Sequence, residues 1–286
     1  MRATIFGATG LLGKALLEEW RGDEVSGLGS RDSDIRDAAQ VLDAVERTRP
    51  DWIVLAAAYT DVDGCESHRE LAFAVNTVGA ANVARAAKHA GARLLFLSSD
   101  YVFDGTDTAP YEVGDPRAPL GVYGQTKAEA EIELARILPG CCIVRTSWLY
   151  GAGGKCFPDT ILKLAASRPE LEVVNDQRGS PTYTRDLARA IIQLCHAGAQ
   201  GILHATNRGD CTWFEFAREI VTGAGLSTPV RPTTSDKFVR PAERPKYSVL
   251  SASSLQKYGI EMPSWQDALR RYLHERQAMS QPAWGW

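Results

Sequence analysis

Short apolar runs alternate with stretches whose apolar positions recur every three or four residues, and this rhythm fills the first half of the chain. Ala3–Phe6 predicts a first strand and Leu11–Trp20 a helix with a buried stripe of Leu12, Leu16 and Leu17. Glu24–Leu28 predicts a weaker strand, and Ala38–Arg47 a helix ended by Arg49-Pro50. Trp52–Ala57 reads as a buried strand, and Glu70–His89 as a long Ala-rich helix closed by Gly91. Arg93–Leu97 is another strand, Tyr123–Leu138 a helix stopped by Pro139-Gly140, and Cys142–Thr146 the next strand. Strands alternating with helices predict an α/β fold, a doubly wound, Rossmann-like parallel sheet covered on both faces. Such a sheet opens its ligand crevice at the carboxyl ends of its strands.

After Leu149 the rhythm loosens, interrupted by Gly151, Gly153, Gly154 and Pro158. Thr184–His196 predicts an amphipathic helix, and Thr212-Trp213-Phe214-Glu215 has the spacing of a capping box. The tail Gln281–Trp286 predicts no element. The expected division is a dinucleotide-binding domain over 1–149 and a smaller substrate-binding domain over 150–286, some of whose segments return to the first.

Composition narrows the function. A net charge of −3 lacks the basic excess that nucleic acid requires. No apolar run reaches the roughly 18 residues of a membrane span, and the start lacks the apolar region and cleavage site of a secretory signal. Six cysteines form no CxxC pair, and the histidines show no metal spacing, so no metal site is expected. Reduced thiols in a cytoplasmic protein are the reading that fits.

Gly7-Ala-Thr-Gly10-Leu-Leu-Gly13 lies at the first strand-to-helix turn, where a dinucleotide fingerprint belongs. Gly7 permits the tight turn, Gly10 lets backbone approach a pyrophosphate, and Gly13 lets the helix pack on the sheet. Thr9, Leu11 and Leu12 complete this cofactor-binding loop. After the second strand, Ser30 and Arg31 are suited to a ribose 2′-phosphate and favour NADPH. Asp32 still offers a ribose contact, so NADH stays open.

Tyr123-Gly-Gln-Thr-Lys127 sets a phenol and an ammonium on one helical face. A phenol titrates near 10, so a neighbouring ammonium that stabilises phenolate helps it exchange a proton near neutrality. Leu94–Asp100 ends an apolar strand in Ser98 and Ser99, where a hydroxyl can polarise the same substrate oxygen.

With the glycine loop, Ser99, Tyr123 and Lys127 in this order, the chain resembles the extended short-chain dehydrogenase/reductase superfamily. Within it the likeness is to the dTDP-4-dehydrorhamnose reductase family. It is carried by Ala57–Asp63, Ser98–Gly105, Tyr123–Lys127, Arg145–Trp148 and Asp176–Thr182, and runs from the first strand to about Leu273. The resemblance implies hydride transfer from NAD(P)H to the 4-keto carbon of a nucleotide-linked 6-deoxy sugar, converting dTDP-4-dehydro-L-rhamnose to dTDP-L-rhamnose. It implies that Tyr123 donates the proton, Ser99 orients the keto oxygen, and Lys127 binds the nicotinamide ribose. It further implies cofactor contacts at Asp34, Ile35, Ala56, Ala57, Ala58 and Asn76, and substrate contacts at Thr60, Val62, Asp100, Tyr101 and Trp148. Arg244 is a candidate partner of the diphosphate. Some relatives form a magnesium-linked homodimer through acidic residues. Ala15 and Arg185 stand at the counterpart positions here, which leaves a homodimer open without that metal. Two alternatives remain from the residues: a nucleotide-sugar dehydratase or epimerase, and a cofactor-binding regulatory subunit resembling the methionine adenosyltransferase β subunit. Dehydratase relatives carry a glutamate where Tyr101 follows Asp100.

Overall fold

The computed structural model describes residues 1–280 of the chain. The tail Gln281–Trp286, for which no element is predicted, lies outside the described residues. The chain opens with β1 (Arg2–Phe6), α1 (Leu11–Glu19), β2 (Glu24–Leu28), α2 (Ala38–Thr48) and β3 (Trp52–Leu55). Helices α3 (Val62–Ser67) and α4 (Arg69–Phe73), a π turn over Ala74–Gly79 and α5 (Ala80–Ala90) follow, then β4 (Arg93–Ser99), α6 (Val122–Ile137) and β5 (Cys142–Thr146). The second half holds β6 (Leu149–Tyr150), α7 (Phe157–Ala165), β7 (Leu171–Val174), β8 (Arg178–Gly179), β9 (Thr182–Tyr183), α8 (Thr184–His196) and β10 (Gly201–His204). It continues through β11 (Cys211–Thr212), α9 (Trp213–Gly223), β12 (Val230–Thr233), α10 (Ser253–Gln256) and α11 (Trp265–Ser280).

Six strands pair in parallel in the order β10-β5-β4-β3-β1-β2. The first connection leaves β1 toward β2, and the chain then crosses to β3 on the other side of β1. That reversal opens a crevice above the carboxyl ends of β1 and β3. The sixth strand, β10, comes from the second half of the chain.

One face of the sheet packs Leu12, Ala15 and Leu16 of α1 against Leu187 and Ile191 of α8. The other packs Val41 and Val45 of α2, Val83 of α5 and Leu134 of α6. Burying one such side chain contributes about 1.5–3 kcal/mol, so this double cover is the main stabilising term for the sheet. Leu17 departs from the predicted stripe: it is 38% exposed. It lies about 100° around the helix from Leu16, outside the arc that α8 covers.

Three elements differ from the sequence reading. β3 stops at Leu55 rather than Ala57, in register with Phe6 at the end of its neighbour β1, and the chain then passes close to Gly7. The long helix predicted over Glu70–His89 runs on continuously from Arg69 to Ala90 but widens into a π turn over Ala74–Gly79, between α4 and α5. Helix α3 was not predicted; its polar residues form no stripe, and the Asp61 side chain starts it by accepting from Gly64 N at 2.9 Å. The capping box at Thr212 and Glu215 is formed, with both reciprocal bonds in place. β7 pairs with β12, β8 with β11 and β6 with β9. Beside them packs a cluster containing Tyr150, Tyr183, Phe216, Trp265 and Tyr272.

Candidate active site

The turn from β1 into α1 is built around its glycines. Gly7 has φ +91°, and a Cβ there would lie 2.5 Å from Ala57 N. A Cβ on Gly13 would lie 2.1 Å from Gly7 O, so only glycine lets α1 come this close to the turn. At Gly10 a Cβ would meet only Gly7 O, at 3.3 Å, and would otherwise enter open space. Gly10 is also the N-cap of α1 and supplies no side-chain cap bond. The first N–H groups of that helix are therefore suited to an anion. These features fit a dinucleotide pyrophosphate.

The glycine loop forms one wall of a cavity of about 1080 Å³. Ser99 and Lys127 are buried, and Tyr123 is half-buried on the same cavity. The two serines ending β4 diverge in use. Ser98 Oγ donates to Glu131 Oε1 at 2.5 Å, whereas Ser99 Oγ donates to Asp100 Oδ1 at 2.9 Å and lies beside the Tyr123 phenol. Burial raises the Tyr123 pKa above its ordinary value; the Asp100 charge adds to this and the Ser99 hydroxyl opposes it. Lys127 Nζ stands 4.1 Å from the Phe96 ring centroid. Burial pushes its ammonium down to about 7, against the attraction of Glu131. Burial pushes the Asp100 carboxyl up to about 6, with Ser248 and Ser99 opposing. Its Oδ2 has no well-formed hydrogen bond, although Ser248 lies near enough to favour the ionised form. A neutral phenol, a lysine near its titration point and a serine hydroxyl thus meet on one cavity, an arrangement suited to giving a proton to a carbonyl oxygen.

Behind them lies a buried charge network that sequence reasoning did not anticipate. Glu131, one turn beyond Lys127 on α6, is bound in bidentate fashion by Arg145, at 2.9 and 2.7 Å. Arg117 adds a bond at 2.6 Å. Glu131 and Arg145 are 0% and 1% exposed, so each depends on the other. Removing one partner of such a pair costs about 3–5 kcal/mol because it strands the other charge. Arg145→Met is expected to fall at the lower end, since Arg117 and Ser98 still hold Glu131. Urea unfolding checks it, and a loss under about 1 kcal/mol would contradict the dependence.

Comparison with known proteins places this geometry in a family. The family model described as RmlD substrate binding domain matches residues 1–278. The chain belongs to that family. It is 44% identical over 278 residues to a dTDP-4-dehydrorhamnose reductase of Streptomyces griseus, covering 94% of this chain and 91% of the relative. It is 40% identical over 277 residues to the spore coat polysaccharide biosynthesis protein SpsK of Bacillus subtilis, covering 96% and 98%. The crystal structure of dTDP-4-dehydrorhamnose reductase from Bacillus anthracis in complex with NADP superposes with a TM-score of 0.93. That protein is 40% identical, and the match covers 96% of this chain and 99% of that one. These likenesses support the Rossmann-like assignment of the sheet.

Of the residues singled out in the sequence, Gly7, Thr9, Gly10, Leu11, Leu12, Gly13, Ser30, Asp34, Ile35, Ala56, Ala57 and Ala58 line the cavity. So do Thr60, Val62, Ser99, Asp100, Tyr101, Tyr123, Lys127 and Trp148. Arg31 and Asn76 are not on its wall. Arg31 is exposed at the β2 turn. Asn76 is buried in the π turn: it accepts from Tyr59 N at 2.7 Å and donates to Thr126 Oγ1 at 3.0 Å. It thereby ties the loop after β3 to α6. Asp32 holds the β2 turn by accepting from Gly29 N at 2.8 Å. Arg244 spends its guanidinium on Asp63, at 2.7 and 2.9 Å. Arg36, Lys155, Phe157 and Trp213 also line the cavity and were not anticipated. For Arg36 a signal existed, a cation two positions past Asp34; the other three come from a region without a clear pattern. No group of three His, Cys, Asp or Glu able to hold a metal occurs among the described residues. No helix among them is long and apolar enough to cross a membrane.

Proposed function

We propose that the protein reduces the 4-keto group of a nucleotide-linked 6-deoxy sugar, converting dTDP-4-dehydro-L-rhamnose to dTDP-L-rhamnose. The observation that carries this reading is the meeting of Ser99, Tyr123 and Lys127 with the glycine loop on one cavity. NADPH, held along Gly7–Gly13, supplies the hydride that reaches the sugar C4. Tyr123 gives its proton to the keto oxygen as the C=O bond becomes CH–OH, and recovers a proton from solvent. Burial raises its pKa and keeps the phenol protonated before transfer, and the Lys127 ammonium offsets that shift as the proton leaves. Ser99, turning its one hydrogen from Asp100 to the keto oxygen, fixes that oxygen's direction. Lys127, in its ammonium form, stabilises the tyrosinate left behind and binds the nicotinamide ribose. Thr60, Val62, Asp100, Tyr101 and Trp148 surround the sugar. Asn76 supports the site through Tyr59 and Thr126.

The relatives' names support the reductase over the regulatory-subunit reading. Tyr101, whose ring packs edge-on at 5.7 Å from Tyr123, stands where dehydratase relatives commonly have a glutamate. A cytoplasmic setting accords with six free, buried cysteines. The reading is tested by supplying a panel of nucleotide-linked 4-keto-6-deoxy sugars with NADPH or NADH and identifying the product's configuration. Failure of every sugar with either cofactor would refute it.

Cofactor choice is carried by the end of β2. Ser30 and Arg36 line the cavity beside β2, the Arg36 guanidinium held by Asp34 at 3.0 Å, and Arg31 is near in sequence and exposed. Losing a charge-assisted bond costs about tenfold. A double Arg31→Ala, Arg36→Ala variant should raise the KM for NADPH about tenfold more than that for NADH. An equal rise for both cofactors would show that neither arginine reads the 2′-phosphate.

A further inference from the structure

Two indoles from distant parts of the chain meet on the cavity wall. Trp148 follows β5, and Trp213 is the first residue of α9. Their rings stack with centroids 3.5 Å apart and planes 6° from parallel. Phe157 adds a third ring, tilted by 51° at 4.4 Å from Trp213, and all three line the cavity that holds Ser99 and Tyr123. Trp148 has φ +47°, a left-handed conformation rare for a bulky residue. Such a backbone persists where its surroundings over-determine it, and it concentrates at ligand clamps. Here the surroundings are identifiable. A Cβ on Gly179 would lie 2.6–2.8 Å from the edge of the Trp148 indole, so glycine behind and Trp213 across the ring face hold that side chain in place.

We propose that Trp213 is a specificity-determining residue that, with Trp148, forms an apolar aromatic wall seating the deoxygenated C5–C6 edge of the sugar. The inference rests on the proposed reductase reading and deepens it. A sugar methyl and the adjacent C–H bonds gain contact on an indole surface, whereas a C6 hydroxyl there loses its water without an acceptor. The wall therefore favours 6-deoxy sugars over their 6-hydroxy counterparts. Trp213 makes no claim on the proton or the hydride, so its effect falls on KM.

The test compares Trp213→Leu, which keeps apolar bulk and loses the stack, with Trp213→Phe, which keeps an aromatic ring. Trp213→Leu is expected to raise the KM for the 6-deoxy-4-keto substrate about tenfold, the size of one aromatic contact. Its kcat and NADPH affinity should stay within about threefold, and its preference over the 6-hydroxy analogue should shrink. Trp213→Phe should recover most of the loss. An unchanged KM in both variants, or equal losses in KM, kcat and NADPH affinity, overturns the proposal. A second measurement needs no variant and no turnover. In the wild-type protein with NADP bound, the near-ultraviolet circular dichroism of the stacked indoles should shift when dTDP-L-rhamnose is added and stay unchanged with dTDP alone. An equal shift with both would show that the nucleotide sits there, and no shift with either would show that the wall is not part of the site; both overturn it. Absence of turnover in wild type, with the dichroism shift intact, would fault the reductase reading and leave the wall standing.

Discussion

Tyr123→Phe is expected to reduce turnover by a factor on the order of 10²–10⁴, the usual contribution of a positioned general acid. The substitution removes one hydroxyl and keeps the ring, so the edge packing against Tyr101 survives. Affinity for NADPH should change little, because the loop that fits its pyrophosphate runs along Gly7–Gly13 and Lys127 is untouched. Ser99→Ala should cost less, since the proton donor remains. Steady-state NADPH oxidation alongside a cofactor titration checks both. Near-normal turnover in Tyr123→Phe would remove Tyr123 from the mechanism.

Lys127→Met should damage cofactor binding and turnover together, each by about tenfold or more, because the proposed mechanism has one ammonium serve both. Methionine keeps an unbranched apolar stem one atom shorter, so the stem's burial is largely retained while the ammonium over Phe96 is lost. The cost to folding should be small or even negative: burial already disfavours the lysine's charged form, drawing its pKa down to about 7. The sign follows from that direction. A lysine whose folded pKa lies below its unfolded value penalises folding when it is protonated, and the penalty fades as pH rises through 7 toward the unfolded value. Below pH 7 the methionine variant is therefore expected to be the more stable protein, and thermal melts at several pH values read this directly. A variant that loses turnover and binds NADPH normally would separate the two roles assigned to Lys127.

Much of the sheet was legible in the sequence because parallel strands are buried on both faces and read as short apolar runs. β2 and β5 match their predicted spans, and α8 matches Thr184–His196. The glycine loop and the Tyr123–Lys127 pair were legible for a related reason, since each is a local pattern whose geometry follows from one turn or one helix. Features that depend on residues far apart in the chain were not. Glu131 on α6 gave no sign that it would be buried against Arg145 on β5, because that pairing exists only once the helix lies on the sheet. Asn76 was singled out as a cofactor neighbour, yet its amide spans Tyr59 and Thr126 and lies off the cavity wall. The π turn that holds it lies inside what periodicity reads as one long helix, a local widening that an average period over the segment does not mark. Trp213 was visible only as the residue after a cap; its contact with Trp148 is made across 65 positions by the folding of the second half.

In the proposed reduction, hydride passes from the cofactor to the sugar's C4 and stays there. The most direct measurement supplies NADPH carrying deuterium at the transferable nicotinamide position, with dTDP-4-dehydro-L-rhamnose as acceptor. One NADP is expected per sugar reduced, with deuterium bound at C4 of the dTDP-L-rhamnose formed. A sugar altered without net oxidation of NADPH, or a product with no deuterium at C4, would contradict it.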